Sequence, residues 1–323
     1  MRRASEVSFR ASTEFLTQKT RMEETRSRAS MIRRCIVALG LCVACSHAMP
    51  GYRLGYPQDL VRNGFSSPVL EAALGGKPAR LLVDTGAGVH TLTRWFANAA
   101  SLHPTPVSST ARDSVGREVR LQRVETTLAV NGRAAEIALI VVDFPPVFEE
   151  HRIAGLLSPQ LLAPASAAAV LDLRAGTLRF DSFEAAVRDT GAFELPSAKV
   201  CAEGSVKPNR LYAAPVSVGG RTVLIELDSG AAVTTLKSGS LAARALGKGE
   251  VQSRTMGVAG QEVVTERATA DVAFAGATAN IAVQIVPGDP AGCEGDGLLG
   301  QDVLAHCVLV LGETRLAAAC RAP

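Results

Sequence analysis

A mostly β molecule, built by tandem duplication of one β-rich unit, is expected from three features of this chain. The first is a repeated segment. Arg80-Leu-Leu-Val-Asp84-Thr-Gly-Ala-Gly-Val-His-Thr-Leu92 is echoed by Leu224-Ile-Glu-Leu-Asp228-Ser-Gly-Ala-Ala-Val-Thr-Thr-Leu236. The second is register. Gly75-Gly76 matches Gly219-Gly220, Val115-Gly116-Arg-Glu118-Val119 matches Ala259-Gly260-Gln-Glu262-Val263, and Ile137-Ala138 matches Ile281-Ala282, all 144 residues apart. The spacing slips to 142 only where Gly155-Leu-Leu157 meets Gly297-Leu-Leu299. A repeat held over that length marks a duplicated structural unit. The third is turn chemistry, with short apolar runs separated by Gly-Gly, Asn-Gly and Ala-Gly, the signature of β-hairpins.

Taken along the chain, Val69 to Leu74 and Arg80 to Asp84 form a hairpin through Gly75-Gly76-Lys77-Pro78. Val119 to Val130 and Ala135 to Val142 form another about Asn131-Gly132, and the second unit repeats both around Gly219-Gly220 and Ala275-Gly276. Short helices are expected over Thr93 to Leu102, Ser238 to Leu246 and Gln301 to Ala305. The organisation that follows is an N-terminal extension with an export signal (1–48), a first lobe (67–181), a linker (182–208) and a second lobe (209–321). A third triplet, Asp189-Thr190-Gly191, has no apolar strand before it and no Val-x-Thr-Leu after it. It reads as a loop, where Asp, Thr and Gly are favoured.

At 323 residues and 47% apolar content the chain can bury two modest cores. Its net charge of +3 is concentrated at one end: residues 1–34 hold nine Lys/Arg and four Asp/Glu, leaving the rest at −2. A slightly acidic body with 4% aromatic residues offers no basic patch and no stacking platform, which argues against nucleic acid as a partner. Met31-Ile-Arg-Arg followed by Cys35-Ile-Val-Ala-Leu-Gly-Leu-Cys-Val-Ala44 has the charged and short apolar regions of an export signal, and the apolar run is too short to span a bilayer. Val43-Ala44-Cys45 resembles the lipobox of bacterial lipoproteins, so Cys45 is the candidate lipidation site, although Cys42 stands where Leu is usual. Cleavage after Ser46-His-Ala48 is the alternative, and a cytosolic N-terminal tail is a third reading. The expected location is therefore the periplasm or a lipid-anchored position at the outer membrane.

Beyond the signal four cysteines remain, Cys201, Cys293, Cys307 and Cys320, which allow three disulfide connectivities. Cys307-Val-Leu-Val-Leu-Gly and Thr314-Arg-Leu-Ala-Ala-Ala-Cys320 read as a hairpin centred on Glu313-Thr314. That register sets Cys307 opposite Cys320, and elimination pairs Cys201 with Cys293. No His lies at metal-ligand spacing from Cys or carboxylates, so neither a metal nor any other cofactor is assigned. His90 takes the place of Thr234 and is read as a strand residue, while Trp95 and Phe96 are read as core. Glu118 and Glu262 recur near two hairpin tips and are read as solvated charge.

Asp84 and Asp228 carry the chemistry. Two carboxylates a few ångströms apart cannot both ionise cheaply, so they share a proton; one can then take a proton from a water while the other protonates a carbonyl oxygen. Gly86 and Gly230 permit the tight turns, and Thr85 and Ser229 supply hydroxyls able to bond across the interface. With these motifs, and the later Gly297-Leu298-Leu299-Gly300, the chain resembles the aspartic peptidases of the retropepsin and pepsin clan.

The resemblance implies two similar six-stranded-type β-barrel lobes related by a pseudo-twofold axis, the dyad at their interface, an extended polypeptide substrate in a cleft above it, and hairpin flaps. By position the flap tips are Val115-Gly116 and Ala259-Gly260. Nearly equal lobes and the Ala after each Gly resemble a fused retropepsin dimer, so the molecule is expected to be a monomer with an internal pseudo-dimer. The chain departs from the family pattern at Ser158, where the second unit has Gly300, and at Gln160, where it has Asp302; Ser158 is expected to crowd the strand behind the first active-site loop. Neither flap carries the Tyr typical of pepsins. With Ala87 and Ala231 no side-chain hydroxyl stabilises the ionised dyad, so activity is expected to extend toward mildly acidic or neutral pH. Two other classes compete with an endopeptidase: a catalytically idle peptide-binding module on this fold, and a structural envelope lipoprotein.

Overall fold

The computed structural model describes residues 51–112, 118–202, 208–247, 251–256, 262–290, 293 and 295–322. These lie in one unit, Ala48–Pro323. The export signal, Cys45 and both proposed flap tips fall outside the described residues.

Two closed sheets repeat one strand order. In the first lobe it runs Val69–Leu74, Lys77–Val83, Ile153–Leu157, Thr91–Thr93, Arg133–Val142, Glu118–Val130, Thr105–Arg112. Pairing of Ala73 with Ala129 closes this sheet on itself. The second lobe has Leu211–Val218, Arg221–Leu227, Gly297–Leu299, Thr235–Lys237, Ala277–Val286, Glu262–Phe274 and Val251–Met256 in the matching places, and adds Lys199–Cys201 at one edge. It closes where Ser217 pairs with Ala273. The expected hairpins are all present. Their turns, Gly75-Gly76, Asn131-Gly132, Gly219-Gly220 and Ala275-Gly276, have both central residues at positive φ. That is the two-residue geometry whose twist matches the flanking strands.

The Gly-Leu-Leu element has a steric reason. In each lobe it lies between the strand that leads into the Asp and the short strand that follows it. A Cβ on Gly155 would sit 2.1 Å from Thr91 O, and one on Gly297 2.1 Å from Thr235 O, so only glycine fits. The helices after the Asp segments are shorter than expected, Arg94–Ala99, Leu241–Leu246 and Gln301–Leu304. Thr93 and Ser240 cap the first two through their side chains.

A third sheet was not foreseen. Its six strands are Tyr52–Arg53, Thr177–Asp181, Ala168–Asp172, Cys307–Leu311, Leu316–Cys320 and Phe193–Glu194. The terminal hairpin of each lobe thus leaves its own barrel and pairs with the other, Leu171 opposite Leu309. One apolar core runs through both barrels and into this sheet.

The linker packs on its outer face. Phe183–Thr190 is a helix, capped by Ser182 and ended by Gly191 at φ 67°, and its Phe183 and Ala186 cover Val170, Val308 and Val310. Asp189-Thr190-Gly191 is therefore a helix terminus, not the loop expected, because the amphipathic run before it finds an apolar sheet to cover. Two disulfides form, Cys201–Cys293 and Cys307–Cys320, and the second joins directly opposed residues, as its hairpin register indicated.

Candidate active site

Each Asp sits where a barrel strand runs out. Lys77–Val83 ends at Asp84, whose N–H donates to Leu157 O (2.9 Å); Arg221–Leu227 ends at Asp228, whose N–H donates to Leu299 O (3.0 Å). The turns then bring the two carboxyls together across the lobe interface, where they are hydrogen-bonded to each other. The loop glycines face the opposite carboxyl: a Cβ on Gly86 would lie 2.6 Å from Asp228 Cγ, and one on Gly230 2.6 Å from Asp84 Cγ. Any side chain there would occupy the space of the dyad.

The hydroxyl residues lock the two loops reciprocally. Thr85 N–H donates to Ser229 Oγ (3.0 Å) and Ser229 N–H to Thr85 Oγ1 (2.9 Å). The same hydroxyls then donate across the interface, Thr85 to Leu227 O (2.7 Å) and Ser229 to Val83 O (2.9 Å). Both side chains are fully buried. Four bonds among buried groups fix the separation of the loops, since leaving any of them unmade strands a desolvated backbone group.

The carboxyls are not equivalent. Asp84 is buried and accepts from Gly86 N–H (2.8 Å), while Asp228 is half-buried and accepts from Gly230 N–H (2.8 Å) and Ala231 N–H (3.0 Å). Burial, then the charge of Asp228, then its hydrogen bond raise Asp84 well above the usual carboxylate range, against the pull of the Gly86 and Ala87 N–H groups. Asp84 is thus held toward its neutral form.

Several supporting residues escaped sequence reasoning. Gln160 Nε2 donates to Thr85 O (3.2 Å), Ala87 O (3.3 Å) and Arg210 O (2.7 Å), and Gln301 Nε2 donates to Ser229 O (2.9 Å). The counterpart of Gln160 is thus Gln301, not the aligned Asp302, which instead accepts from Thr234 N–H (2.8 Å) and Oγ1 (2.6 Å). A Gln shortly after Gly-Leu-Leu in both units was the signal available. Each lobe's entry segment also crosses to the other lobe's loop: Ser67 Oγ donates to Gly230 O (3.2 Å), and Arg210 N–H donates to Gly88 O (3.1 Å).

Ser158 is fully buried, and its N–H donates to His90 Nδ1 (3.1 Å), just as Gly300 N–H donates to Thr234 Oγ1 (3.2 Å). His90 is accordingly buried and serves as an acceptor behind the loop, and burial pushes its pKa down to about 4. Phe96 is core, with Trp95 half-buried edge-on beside it.

The proposed flap hairpins exist up to the pairs Arg112–Glu118 and Met256–Glu262; Val115, Gly116, Ala259 and Gly260, and the side chains of Glu118 and Glu262, lie outside the described residues. A cavity of about 440 Å³ in the second lobe, lined by Ser238, Arg244, Val264, Glu266 and Ile285 among others, contains no residue of the Asp loops. The arrangement at the dyad suits proton transfer to and from a polarised carbonyl and a water.

A family model described as aspartyl protease matches twice, over residues 70–161 and 214–303. A solved structure described as EIAV protease complexed with the inhibitor HBY-793 aligns at 23% identity and a TM-score of 0.25, covering 30% of this chain and 85% of that one. No curated protein matches.

Proposed function

The chain belongs to the aspartyl protease family, and from that membership together with the paired carboxylates we propose that it is an aspartic endopeptidase. A water held between Asp84 and Asp228 attacks the substrate carbonyl. Protonated Asp84 donates to the carbonyl oxygen while ionised Asp228 takes a proton from the water, giving a tetrahedral diol. Asp228 then returns that proton to the leaving nitrogen, the diol gives its own back to Asp84, and the dyad is restored with no covalent intermediate. The assignment of acid and base follows the burial of Asp84, which favours its neutral form.

The observation that carries the reading is the reciprocal set of hydroxyl–backbone bonds between Thr85 and Ser229, which fixes two loops so that each glycine faces the opposite carboxyl. A merely structural pair of turns has no need of a buried carboxyl raised by its bonded neighbour.

The substrate is an extended polypeptide lying across the dyad, and the working form is a monomer with an internal pseudo-dimer. Two disulfides favour an oxidising compartment, in line with export to the periplasm or outer membrane, with Cys45 as lipid attachment site in the anchored form. Activity spans mildly acidic to neutral pH.

The test is cleavage of an unbiased peptide library across pH by wild type, Asp84→Asn and Asp228→Asn. Loss of cleavage in both variants is the expected result, and activity surviving either substitution breaks the shared-dyad mechanism. Binding of a statine inhibitor by folded wild type without any cleavage assigns the protein to the peptide-binding class instead.

A further inference from the structure

We infer that His90 is a positioning residue whose protonation sets the acid limit of this site, through the peptide group on which Asp84 rests. That peptide group joins Leu157 to Ser158. Its carbonyl accepts from Asp84 N–H, and its N–H donates to His90 Nδ1. The second lobe builds the same support from a different residue. The carbonyl of Leu299 accepts from Asp228 N–H, and the N–H of Gly300 donates to Thr234 Oγ1, which in turn donates to Asp302. A threonine hydroxyl accepts at every pH. An imidazole accepts only while neutral.

Protonation puts a hydrogen on Nδ1 and sets two donors, Nδ1–H and Ser158 N–H, against each other where a bond of 3.1 Å had been. The peptide must turn or withdraw, and its carbonyl carries that movement to the Asp84 backbone. His90 is buried, so water cannot replace the lost acceptor.

Among the described residues no charge next to His90 offsets this. The strand and turn from Ile153 to Leu161 and the strand Thr91–Thr93 contain no ionisable residue. Arg94, after that strand, is paired with Asp143. On the strand Arg133–Val142, whose Ile140 N–H donates to His90 O, the charged residues are Arg133 and Glu136, both exposed at its far end. The Asp loop contributes Asp84, and burial is the cause of the downward shift of His90 to about 4. Asp302 belongs to the second lobe's support, and accepts from Thr234 whether or not it is ionised.

The inference rests on the peptidase reading for one of its readouts only. The first experiment records pH profiles of kcat and kcat/KM for wild type, His90→Thr and His90→Gln, each normalised to its own value at pH 6. Both variants place a non-titrating acceptor at the position. At pH 3 the expected normalised kcat of wild type is about tenfold below that of either variant, from the protonated fraction of a group with pKa near 4, while KM changes little. Coincident acid limbs overturn the inference.

The second experiment needs no activity. Denaturant unfolding from pH 7 to 3 should show wild type losing stability between the free-histidine pKa and about 4, because the unfolded chain takes up the proton first. The variants should lack that slope, and an unchanged slope overturns the inference even if no peptide is ever cleaved. Should neither variant fold, imidazole titration by NMR in wild type decides: His90 must titrate near 4 with the Ser158 amide shifting alongside, and titration near the ordinary value refutes it.

Discussion

Replacing Ser229 by Ala should destabilise the interface between the lobes more than any other single-atom deletion near the dyad. The lost oxygen has two partners: it accepts from Thr85 N–H at 3.0 Å and donates to Val83 O at 2.9 Å. Both groups are buried, and water cannot follow. At about 1–3 kcal/mol for each stranded buried group, the expected cost is roughly 2–6 kcal/mol. Thr85→Ala strands Ser229 N–H and Leu227 O by the same logic, with a similar cost. No bond is shared between the two hydroxyls, so simple counting makes the substitutions additive. They act on one interface, however, and after the first deletion the loops can separate, so the second should cost less. A double-mutant cycle by urea unfolding, with statine-inhibitor affinity measured beside it, reads both quantities. Ser229→Thr, which keeps the oxygen, should retain most of the stability. A loss below about 1 kcal/mol for Ser229→Ala with inhibitor affinity unchanged would show that the loops are held by packing and refute the argument.

Asp84→Asn should abolish cleavage yet stabilise the fold at neutral pH. The folded state raises the pKa of Asp84, so its contribution is intact in acid and is lost as pH rises through that raised value; scanning calorimetry should find the midpoint up by about 3 °C or more at pH 7 and by less at pH 4, and a fall at pH 7 contradicts the raised pKa. Gly230→Ala puts a methyl 2.6 Å from Asp84 Cγ, and the displaced carboxyl should lower kcat by about 100-fold or more; near-normal turnover means the loop can yield. Removing Cys201–Cys293, which spans 92 residues, should cost roughly 4–5 kcal/mol, against about 3 kcal/mol for Cys307–Cys320, which spans 13. Denaturation of the two serine double variants under oxidising conditions checks the order, and the reverse order would place the stabilisation in native contacts instead of chain entropy.

What was legible in the sequence was what depends on neighbours along the chain. Turn residues at Gly75-Gly76 and Asn131-Gly132 announced their hairpins because the geometry of a two-residue turn is a local matter. The opposed Cys307 and Cys320 could be read because a hairpin register is local too. The repeat supplied the one long-range inference, that two like loops meet, since a duplicated unit tends to pair by symmetry. The rest depended on where distant segments land. Nothing in Ala168–Asp172 says that its partner is Cys307–Leu311 instead of a strand of its own barrel. Asp189-Thr190-Gly191 was misread because the helix it ends is held by a sheet assembled from elsewhere. Gln160 was noted as a departure, but that its amide reaches Thr85, Ala87 and Arg210 together follows only from the folded loops. Polar residues with buried roles leave no periodicity to read.

The third sheet has a consequence for when the molecule becomes competent. Its central pairing, Val170 with Val310, joins the ends of the two lobes, and the bonds between Thr85 and Ser229 join residues 144 apart. Contacts of such span form late, after the loops between them have surrendered their freedom. A chain still emerging from the ribosome can complete the first barrel, yet it holds a lone carboxyl with no facing glycine and no partner hydroxyl. For the proposed peptidase, the paired carboxyls are thus brought together only when the last hairpin docks, so the order of assembly itself would restrain an unfinished copy.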